Sequence, residues 1–282
     1  MVYEDKQILV LDKPSGWLSQ KDMSGRPDIL SWSKAFLKRT HGKPGNAFSG
    51  LVHRLDLPVG GLMVFAKNSK AAKRMSGEFG KRLVKKRYLA ICVGDVPMPE
   101  ARVPEARGRE AESPREDHGE SPAAGEAFSE AISGAPPSLT LKNELFRDNN
   151  VTRPAEPGEK SKPAVLSFAV LGTRVLDDGE TASLLDVDLL TGFKHQIRAQ
   201  LSLAGAPVLG DERYGGPPPP PGEISIGLFS RKLGFRHPAT GEIVTFEAKP
   251  PGAVWPWNLF SSSEWIGDRR SRKTGESGER KS

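Results

Sequence analysis

The chain has 282 residues, of which 37% are hydrophobic, and its formal net charge is +6. This size allows one large domain or two small ones with a hydrophobic core, and no apolar run approaches the ~20 residues that a membrane-spanning helix needs. Cys92 is the single cysteine, which excludes a disulfide framework and a cysteine-built metal site, so we expect a cytoplasmic protein without membrane contact.

The charge is unevenly distributed along the sequence. Residues 100–135 contain nine Asp or Glu and four Arg, a local charge of −5, which leaves +11 on the remainder. Such a basic remainder favours a polyanionic partner, such as a nucleic acid. Charge that serves only solubility would give the same composition, so composition alone does not decide between these interpretations.

The first third of the chain alternates predicted strands and helices. Residues 7–12 and 61–66 are short apolar runs typical of buried strands. Residues 13–16 form a turn, because proline presets φ and glycine accepts a positive φ. We predict one helix over residues 28–41 and another over residues 69–86. Ser69 caps the second helix, in which Ala72, Met75, Phe79 and Leu83 recur at helical spacing.

The second of these helices is strongly basic. Nine Lys or Arg occur from residue 67 to residue 87, against Glu78 alone, so like-charge repulsion along the helix is tolerated. A charge run is usually a solvated face, but a phosphate backbone nearby would relieve this repulsion. We therefore expect contact with RNA or DNA at Lys73, Arg74, Lys81 and Arg82.

The remainder is mainly strands. Residues 99–138 are acidic, of low complexity and rich in Pro, Ala, Glu, Gly and Ser, which predicts a disordered insertion. Residues 259–282 are a predicted loose polar tail. Strands are predicted at residues 88–93, 161–175, 181–190 and 242–251, and a helix at residues 193–204. Strands that are interrupted by helices favour the α+β class.

Three segments place polar side chains in apolar surroundings. Asp56 precedes Pro58, so it could be a turn carboxylate, but that does not explain His53 and Arg54 beside it. Tyr88, taken alone, is typical of an aromatic residue in a sheet. Residues 189–201, taken alone, are typical of the start of an amphipathic helix. A partly buried Arg198, however, needs a carboxylate partner, and Asp56 is one of few candidates. Phosphate loops, zinc-site spacings and a nucleophile elbow are absent.

These segments belong to a longer ordered series of motifs. In the first third of the chain the series contains Lys-Pro-Ser-Gly at 13–16, His-Arg-Leu-Asp at 53–56 and Lys-Arg-Tyr-Leu-Ala at 86–90. The second of these motifs is followed by a Gly-Leu strand that ends in Ala-Lys at 66–67. In the last third the series contains Thr-Gly at 191–192, His-Gln-Ile-Arg at 195–198, Gly-Ala-Pro at 205–207, Gly-Asp at 210–211, Tyr-Gly at 214–215 and His-Pro-Ala-Thr-Gly-Glu at 237–242. This order resembles that of the RluA-type pseudouridine synthases, from about residue 7 to residue 251.

The resemblance implies an enzyme that isomerises uridine to pseudouridine in structured rRNA or tRNA without a cofactor or metal. It implies an α+β catalytic domain, residues 1–98 and 139–258, with a mixed, mainly antiparallel central sheet and flanking helices, acting as a monomer. By resemblance Asp56 is the catalytic carboxylate, Arg198 its ion-pair partner and Tyr88 the residue that stacks on the uracil and helps to move the C5 proton. We expect further RNA contacts from His53, Arg54, Lys194 and Gln196.

The chain departs from the family pattern at two places. Val59-Gly60-Gly61 replaces Thr-Ser-Gly, and Phe193 replaces an arginine, for which Lys194 could compensate. These departures motivate an alternative, a catalytically weakened relative that binds RNA as a folding or ribosome assembly factor. A third hypothesis, a carboxylate hydrolase of small glycosides, would need a second carboxylate paired with Asp56.

Overall fold

The computed structural model of the protein describes residues 1–42, 45–94, 96, 139–149 and 151–266. The insertion predicted at residues 99–138 and the last part of the predicted tail, residues 267–282, lie outside these ranges. In the described ranges, no helix is both long and apolar enough to cross a membrane.

One sheet organises the described residues. Its eleven strands are β1 (Tyr3–Glu4), β2 (Ile8–Lys13), β3 (Gly50–Leu51), β4 (Gly60–Ala66), β5 (Lys85–Val93), β6 (Leu139–Asp148), β7 (Val151–Pro154), β8 (Lys162–Val175), β9 (Thr181–Leu189), β10 (Leu228–Arg236) and β11 (Ile243–Glu247). In the part of the chain that the structure describes, three α-helices flank it, α1 (Ile29–Thr40), α2 (Ser69–Gly80) and α3 (Gln196–Leu203).

The strand order is β1-β2-β4-β10-β5-β9-β8-β6-β7, with β11 added to β10 and β3 to β4. Strands β4 and β10 run parallel, and the other described pairs are antiparallel. The α+β class with a mixed, mainly antiparallel sheet is therefore confirmed. Strand β10 is an addition to the sequence prediction, and it lies at the centre between β4 and β5.

The central strands are covered on both faces. All seven residues of β4 and seven of the nine in β5 are buried. On one face, Leu55 and Val59 from the loop before β4 and Ile197 from α3 join a core that includes Tyr88 and Leu228. This packing brings the loop, β5 and α3 to the same region of the sheet.

Helix α2 differs from the prediction at both ends. Its N-cap is Asn68, whose side chain accepts a hydrogen bond from the Ala71 N–H at 2.8 Å, and not Ser69. It ends at Gly80 and not at residue 86, because Arg82 adopts a left-handed φ of 62° that no helix continues through. Residues from Lys85 onward are already strand β5.

One further boundary is corrected. Helix α3 starts at Gln196 and not at residue 193, since His195 has a φ of 56°. In the loose tail predicted from residue 259, the described residues Phe260 and Trp265 are buried in a cluster with Trp257. Hydrophobic burial therefore keeps the described part of this segment on the sheet.

Candidate active site

The loop that carries Asp56 is anchored by the turn after β2. The Ser19 hydroxyl accepts from the Leu55 N–H at 3.0 Å and donates to the Leu55 carbonyl at 2.7 Å. The Gly16 N–H donates to the carbonyl of Leu57 at 2.9 Å. Because residues 55 and 57 are both tied to the protein interior, the backbone on either side of Asp56 is fixed.

Lys13 is buried beneath this loop. Its Nζ donates to the carbonyls of Pro14 at 3.0 Å, Trp17 at 2.8 Å and Leu57 at 3.4 Å. Burial lowers the pKa of Lys13 to about 7, against the opposing charges of Asp56 and Asp12. Lys13 thus links the turn after β2 to the loop of Asp56.

Asp56 receives one donor on each carboxylate oxygen. Arg198 donates from Nη1 to Oδ2 at 3.1 Å, and His195 Nε2 lies 3.4 Å from Oδ1. The ion pair expected between Asp56 and Arg198 is therefore present. The Asp56 side chain is 25% exposed while both partners are buried. The carboxylate is thus held from behind and open toward the cavity.

Arg198 is itself held by a second carboxylate. Its Nε donates to Asp211 Oδ2 at 2.6 Å and its Nη2 to Asp211 Oδ1 at 2.7 Å, a bidentate pair in which the Asp211 side chain is 1% exposed. The Arg198 guanidinium also lies over the Tyr214 ring, 5.0 Å from its centroid. Both oxygens of Asp211 are engaged, so Asp211 does not supply the second catalytic carboxylate that a glycoside hydrolase needs.

A chain of hydrogen bonds orients His195. The Thr152 N–H donates to the Tyr214 hydroxyl at 2.9 Å, and that hydroxyl lies 2.9 Å from His195 Nδ1. If the tyrosine donates to Nδ1, the imidazole carries its proton on Nε2, the atom that faces Asp56. The left-handed backbone of His195 brings the ring to this position.

The pKa of the Asp56 carboxyl lies below its ordinary value. Burial acts to raise it, but the hydrogen bonds and charges of His195 and Arg198 outweigh burial. Asp56 is consequently ionised at neutral pH inside a poorly hydrated site. An ionised carboxylate in such a setting can act as a nucleophile or a base.

The cavity in front of Asp56 has a volume of about 320 Å³. Tyr88 from β5 forms part of its wall together with Val59, Phe193 and Leu228. Burial raises the pKa of the Tyr88 phenol, the charge of Asp56 adds to this, and a hydrogen bond with Ser230 opposes it. The phenol therefore stays protonated and offers the cavity an uncharged aromatic surface.

The remaining wall carries His53 and Lys86. The Val64 N–H donates to His53 Nε2 at 3.0 Å, and the His53 ring stacks on Phe79 with centroids 4.7 Å apart. Burial, with the charge of Lys86, lowers the pKa of His53 to about 3, so the ring is neutral. A neutral His53 positions the loop through its bond with Val64 and carries no charge for a phosphate, and its contact with RNA stays a prediction. Burial lowers the pKa of Lys86 to about 8.

Basic side chains surround the mouth of the cavity. Arg54 and Lys194 line it. Burial lowers the pKa of Lys194, and the positive charges of Arg147, Arg54 and Arg213 add to this effect while Asp56 opposes it. Three arginines are thus close enough to Lys194 to disfavour its charge, an arrangement that an anionic ligand would stabilise.

The other predicted RNA contacts divide into three groups. Gln196 is almost fully buried but lines the active-site cavity. Its Oε1 accepts from Thr191 and its Nε2 donates to Gln200, both at 2.9 Å, which gives it a structural role, and its contact with RNA stays a prediction. Arg82 is close enough to Lys86 to affect its charge. Lys73, Arg74 and Lys81 line a separate groove along α2.

Several residues of the site were not singled out from the sequence: Lys13, Lys86, Arg147, His195, Asp211, Arg213 and Tyr214. Lys13, Asp211 and Tyr214 each stand in one of the ordered motifs, next to glycine or proline, and that setting was the available signal. Arg147 and Arg213 are exposed cations on β6 and in the turn after α3, and nothing in the sequence separates them from other surface arginines.

The departure at Val59-Gly60 has a structural explanation. Val59 is buried in the core beside the cavity. A Cβ on Gly60 would lie 3.1 Å from the Ser15 hydroxyl oxygen and 3.2 Å from Phe229 Cδ2. Ser15 therefore places a hydroxyl in the space that a serine side chain at position 60 would enter. The loop retains its packing without the family's hydroxyls.

The site combines an ionised carboxylate, an aromatic wall and a basic rim. The cavity size falls within the ~300–1,000 Å³ typical of small-molecule sites. Within the described residues, no group of three His, Cys, Asp or Glu side chains is arranged to hold a metal ion. Such a site suits a flat uncharged ring that is attached to an anionic backbone.

Comparisons with known proteins agree with this chemistry. A family model described as RNA pseudouridylate synthase matches residues 7–203. The ribosomal large subunit pseudouridine synthase D of Neisseria meningitidis serogroup A is 28% identical over 273 residues, which cover 90% of this chain and 59% of that protein. The chain thus spans about three fifths of the length of this relative.

A second relative is matched along nearly its full length. The dual-specificity RNA pseudouridine synthase RluA of Haemophilus influenzae is 28% identical over 250 residues, which cover 88% of this chain and 92% of that protein. Among solved structures, human RNA pseudouridylate synthase domain containing 4 superposes with a TM-score of 0.61 at 22% identity, covering 89% of this chain and 88% of that one. At this identity the superposition supports the fold alone.

Proposed function

Because the chain belongs to the RNA pseudouridylate synthase family, we propose that it isomerises uridine to pseudouridine in structured ribosomal or transfer RNA. The observation that carries this proposal is the position of Asp56. Its carboxylate is held by Arg198 and His195 and faces a cavity whose wall includes the Tyr88 ring. This pair of groups fits a uracil ring between an aromatic surface and a carboxylate.

The reaction breaks the bond between uracil N1 and ribose C1′ and forms a bond between C5 and C1′. N1 gains a proton and C5 loses one, so the product has the atoms of the substrate. Asp56 either attacks C1′ or removes a ribose proton, and an ionised carboxylate serves both routes. The ion pair with Arg198 keeps Asp56 ionised and aimed while water is excluded.

The basic rim supports an RNA substrate. Arg54 and Lys194, with Arg147 and Arg213 near Lys194, are suited to phosphates on both sides of the target nucleotide. The cavity lies behind this rim, so the uridine has to leave its stack to reach Asp56. Arg54 is exposed at the mouth, where it could occupy the gap left by the flipped base.

The reaction needs no redox partner, because no electrons are gained or lost overall, and we propose an enzyme without cofactor. We further propose a cytoplasmic monomer. The single cysteine, Cys92, is fully buried within β5, and burial raises the pKa of its thiol. Such a thiol is inert, which suits a reducing compartment but does not require one.

The geometry of the site does not favour the alternative of a catalytically weakened RNA-binding factor. It was motivated by Val59-Gly60 and Phe193, yet Ser15 fills the space beside Gly60 and Phe193 adds an apolar wall to the cavity. Asp56, Arg198 and Tyr88 remain assembled.

Chemical mapping of pseudouridine in total RNA, from cells with and without the gene, tests the proposal. We expect at least one pseudouridine in rRNA or tRNA to disappear with the gene and to return when the wild-type gene is restored. A gene carrying Asp56→Asn is the matched control and should not restore it. Identical maps in all strains would contradict the proposal.

A further inference from the structure

A second basic groove lies on the other side of α2 from the active-site cavity. Its volume is about 620 Å³, and it runs between α2 and the turn that joins β10 to β11. Phe79 of α2 lines the active-site cavity, whereas other residues of the helix line this groove. The cationic residues of the groove are Lys70, Lys73, Arg74, Lys81 and Arg236.

The three basic residues of α2, together with Lys81 at its C-cap, form one stripe. Positions 70, 73, 74 and 81 recur at helical spacing, so they share a face, and the stripe is about 16 Å long at ~1.5 Å per residue. Among the described residues, no carboxylate lies within ion-pair distance of the Lys70, Lys73 or Lys81 amine. The groove's one acidic residue, Glu78, has a carboxylate oxygen that is buried without a hydrogen bond in the described structure.

Helix stability does not account for this stripe. Lys81, at the C-terminal end of α2, interacts favourably with the helix dipole. Lys70 and Lys73 lie near the N-terminal end, where cations are unfavourable, and the first turn contains no acidic residue. Lys70 and Arg74 are also four residues apart and repel each other. These positions reduce the stability of the helix, which suggests that they serve binding.

Gly77 adds an independent indication. It lies within α2 and lines the groove, and a Cβ at this position would meet no atom within 4 Å. A glycine inside a helix is less favourable than alanine, and packing gives no reason for this one. Its effect is a flat patch between Arg74 and Lys81, where another backbone can approach closely.

The opposite wall of the groove is fixed in place. Arg74 donates from Nη1 to the Pro238 carbonyl, which joins α2 to the turn. His237 Nε2 lies 2.8 Å from Asp5 Oδ2, and the Thr240 N–H donates to His237 Nδ1 at 3.3 Å. The two walls are thus held at a defined separation, with Arg236 exposed on the second.

We propose that this groove binds the phosphate backbone of the RNA substrate at a segment outside the target nucleotide. The RNA crosses α2, with the target uridine at Asp56 on one side and backbone phosphates at Lys73, Lys81 and Arg236 on the other. This inference rests on the proposed function and extends the RNA contact beyond the target nucleotide. A dinucleotide, which has one internal phosphate, is too short to pass across α2, a helix ~10–12 Å wide, and to occupy both sites.

The test compares Lys73→Ala/Lys81→Ala with the wild type. A control, Lys34→Ala/Lys38→Ala, removes the same charge from exposed positions of α1. The probes are a transcript of ribosomal RNA and a uridine dinucleotide, and binding is measured from 50 to 300 mM salt. For the transcript, we expect the groove variant to bind about tenfold more weakly. We also expect the slope of log affinity against log salt concentration to decrease in magnitude by ~1.4–1.8, which corresponds to the loss of two phosphate contacts.

For the uridine dinucleotide, the groove variant and the wild type should bind alike. An unchanged salt slope for the transcript would overturn the proposal, and so would an equal loss in the α1 control or for the dinucleotide. If the wild type modifies no RNA but the groove-specific loss of binding occurs, the proposed function fails and the groove assignment stands.

Gly77→Ala gives a second test without a charge change, and Gly80→Ala, also open to solvent in α2, is its control. Both should leave the protein folded. Only Gly77→Ala should weaken transcript binding, by several-fold. Equal effects of the two variants on binding would contradict a close approach of the RNA backbone at Gly77.

Discussion

The guanidinium of Arg198 forms hydrogen bonds with two carboxylates, those of the catalytic candidate Asp56 and of the buried Asp211. Its Nη1 donates to Asp56 Oδ2 at 3.1 Å, and its Nε and Nη2 donate to the two oxygens of Asp211. Two carboxylates therefore share one cation, but only Asp56 faces the cavity. Asp211 fixes the position of Arg198, and Arg198 then fixes Asp56. This arrangement lets a partly buried carboxylate stay ionised and keep one orientation.

Replacing Arg198 with methionine should destabilise the protein. Asp211 would remain buried without a partner, and breaking a buried ion pair costs about 3–5 kcal/mol. Urea unfolding followed by circular dichroism measures this cost. The double variant Arg198→Met/Asp211→Asn should recover part of it, because the uncompensated charge is gone. A single-variant cost below about 1 kcal/mol, the level of an exposed pair, would show that Asp211 is not dependent on Arg198.

Removing the His195 side chain should shift the acid limb of the pH–rate profile to higher pH. His195 and Arg198 hold the pKa of Asp56 below its ordinary value, so the wild-type acid limb lies below that value. His195→Ala removes one donor and raises the pKa of Asp56. Profiles of kcat/KM from about pH 2.5 to pH 8, a range that extends below the ordinary carboxyl pKa, report this shift. His41→Ala, at an exposed residue near Glu4, should leave the limb in place, and an unshifted limb in His195→Ala would contradict the role of His195.

The same shift predicts how stability depends on pH. The folded pKa of Asp56 is lower than its unfolded value of about 3.9, so the unfolded state binds more protons between the two values. The stabilisation from Asp56 is complete above the unfolded value and is lost as the pH falls through the folded value. His195→Ala should therefore narrow this window.

A methyl group at position 60 should crowd the loop. Gly60→Ala places its Cβ 3.1 Å from the Ser15 hydroxyl and 3.2 Å from Phe229, so we expect a loss of about 1–3 kcal/mol in the free energy of unfolding. Adding Ser15→Gly removes the hydroxyl and should restore part of the loss. Urea unfolding of both single variants and the double variant gives the coupling. Independent effects would show that Ser15 does not occupy the space beside Gly60.

Tyr88→Phe should separate stacking from proton transfer. The phenyl ring keeps the aromatic wall, so RNA affinity should stay within about twofold. The hydroxyl that contacts Ser230 is lost, and loss of a proton-transfer group typically costs 10²–10⁴-fold in rate, so we expect release of the C5 proton to slow by about 10² or more. Single-turnover kinetics on an RNA that the wild type modifies measure both the affinity for RNA and the rate of C5 proton release. A rate equal to the wild type would limit Tyr88 to stacking.

Local sequence signals predicted most of the fold. The strands near residues 8–13, 60–66, 162–175 and 181–189 follow from apolar runs and turn residues. Strand β10 was missed because Leu228–Arg236 places basic residues beside apolar ones, and its register is interrupted between Ser230 and Lys232. Its central position depends on pairing with β4 and β5, which local patterns do not encode.

The catalytic pair at the centre of the site could be predicted from the sequence, whereas the residues that hold this pair in position could not. The pairing of Asp56 with Arg198 follows from two charges in apolar settings, and the structure contains it. The second carboxylate on Arg198 and the orientation of His195 by Tyr214 depend on a left-handed residue at the start of α3. The end of α2 depends on a second left-handed residue, Arg82. Single non-glycine residues with positive φ leave little trace in a sequence.

The catalytic role of Asp56 is tested most directly by tritium release from RNA labelled at uridine C5. Each isomerisation sends one C5 hydrogen to water, so release counts turnovers. Wild-type protein should release tritium from rRNA or tRNA, and Asp56→Asn, which keeps the shape and removes the charge, should release none while binding the RNA within about threefold of wild type. Release by Asp56→Asn at the wild-type rate would contradict the assignment of Asp56 as the catalytic carboxylate.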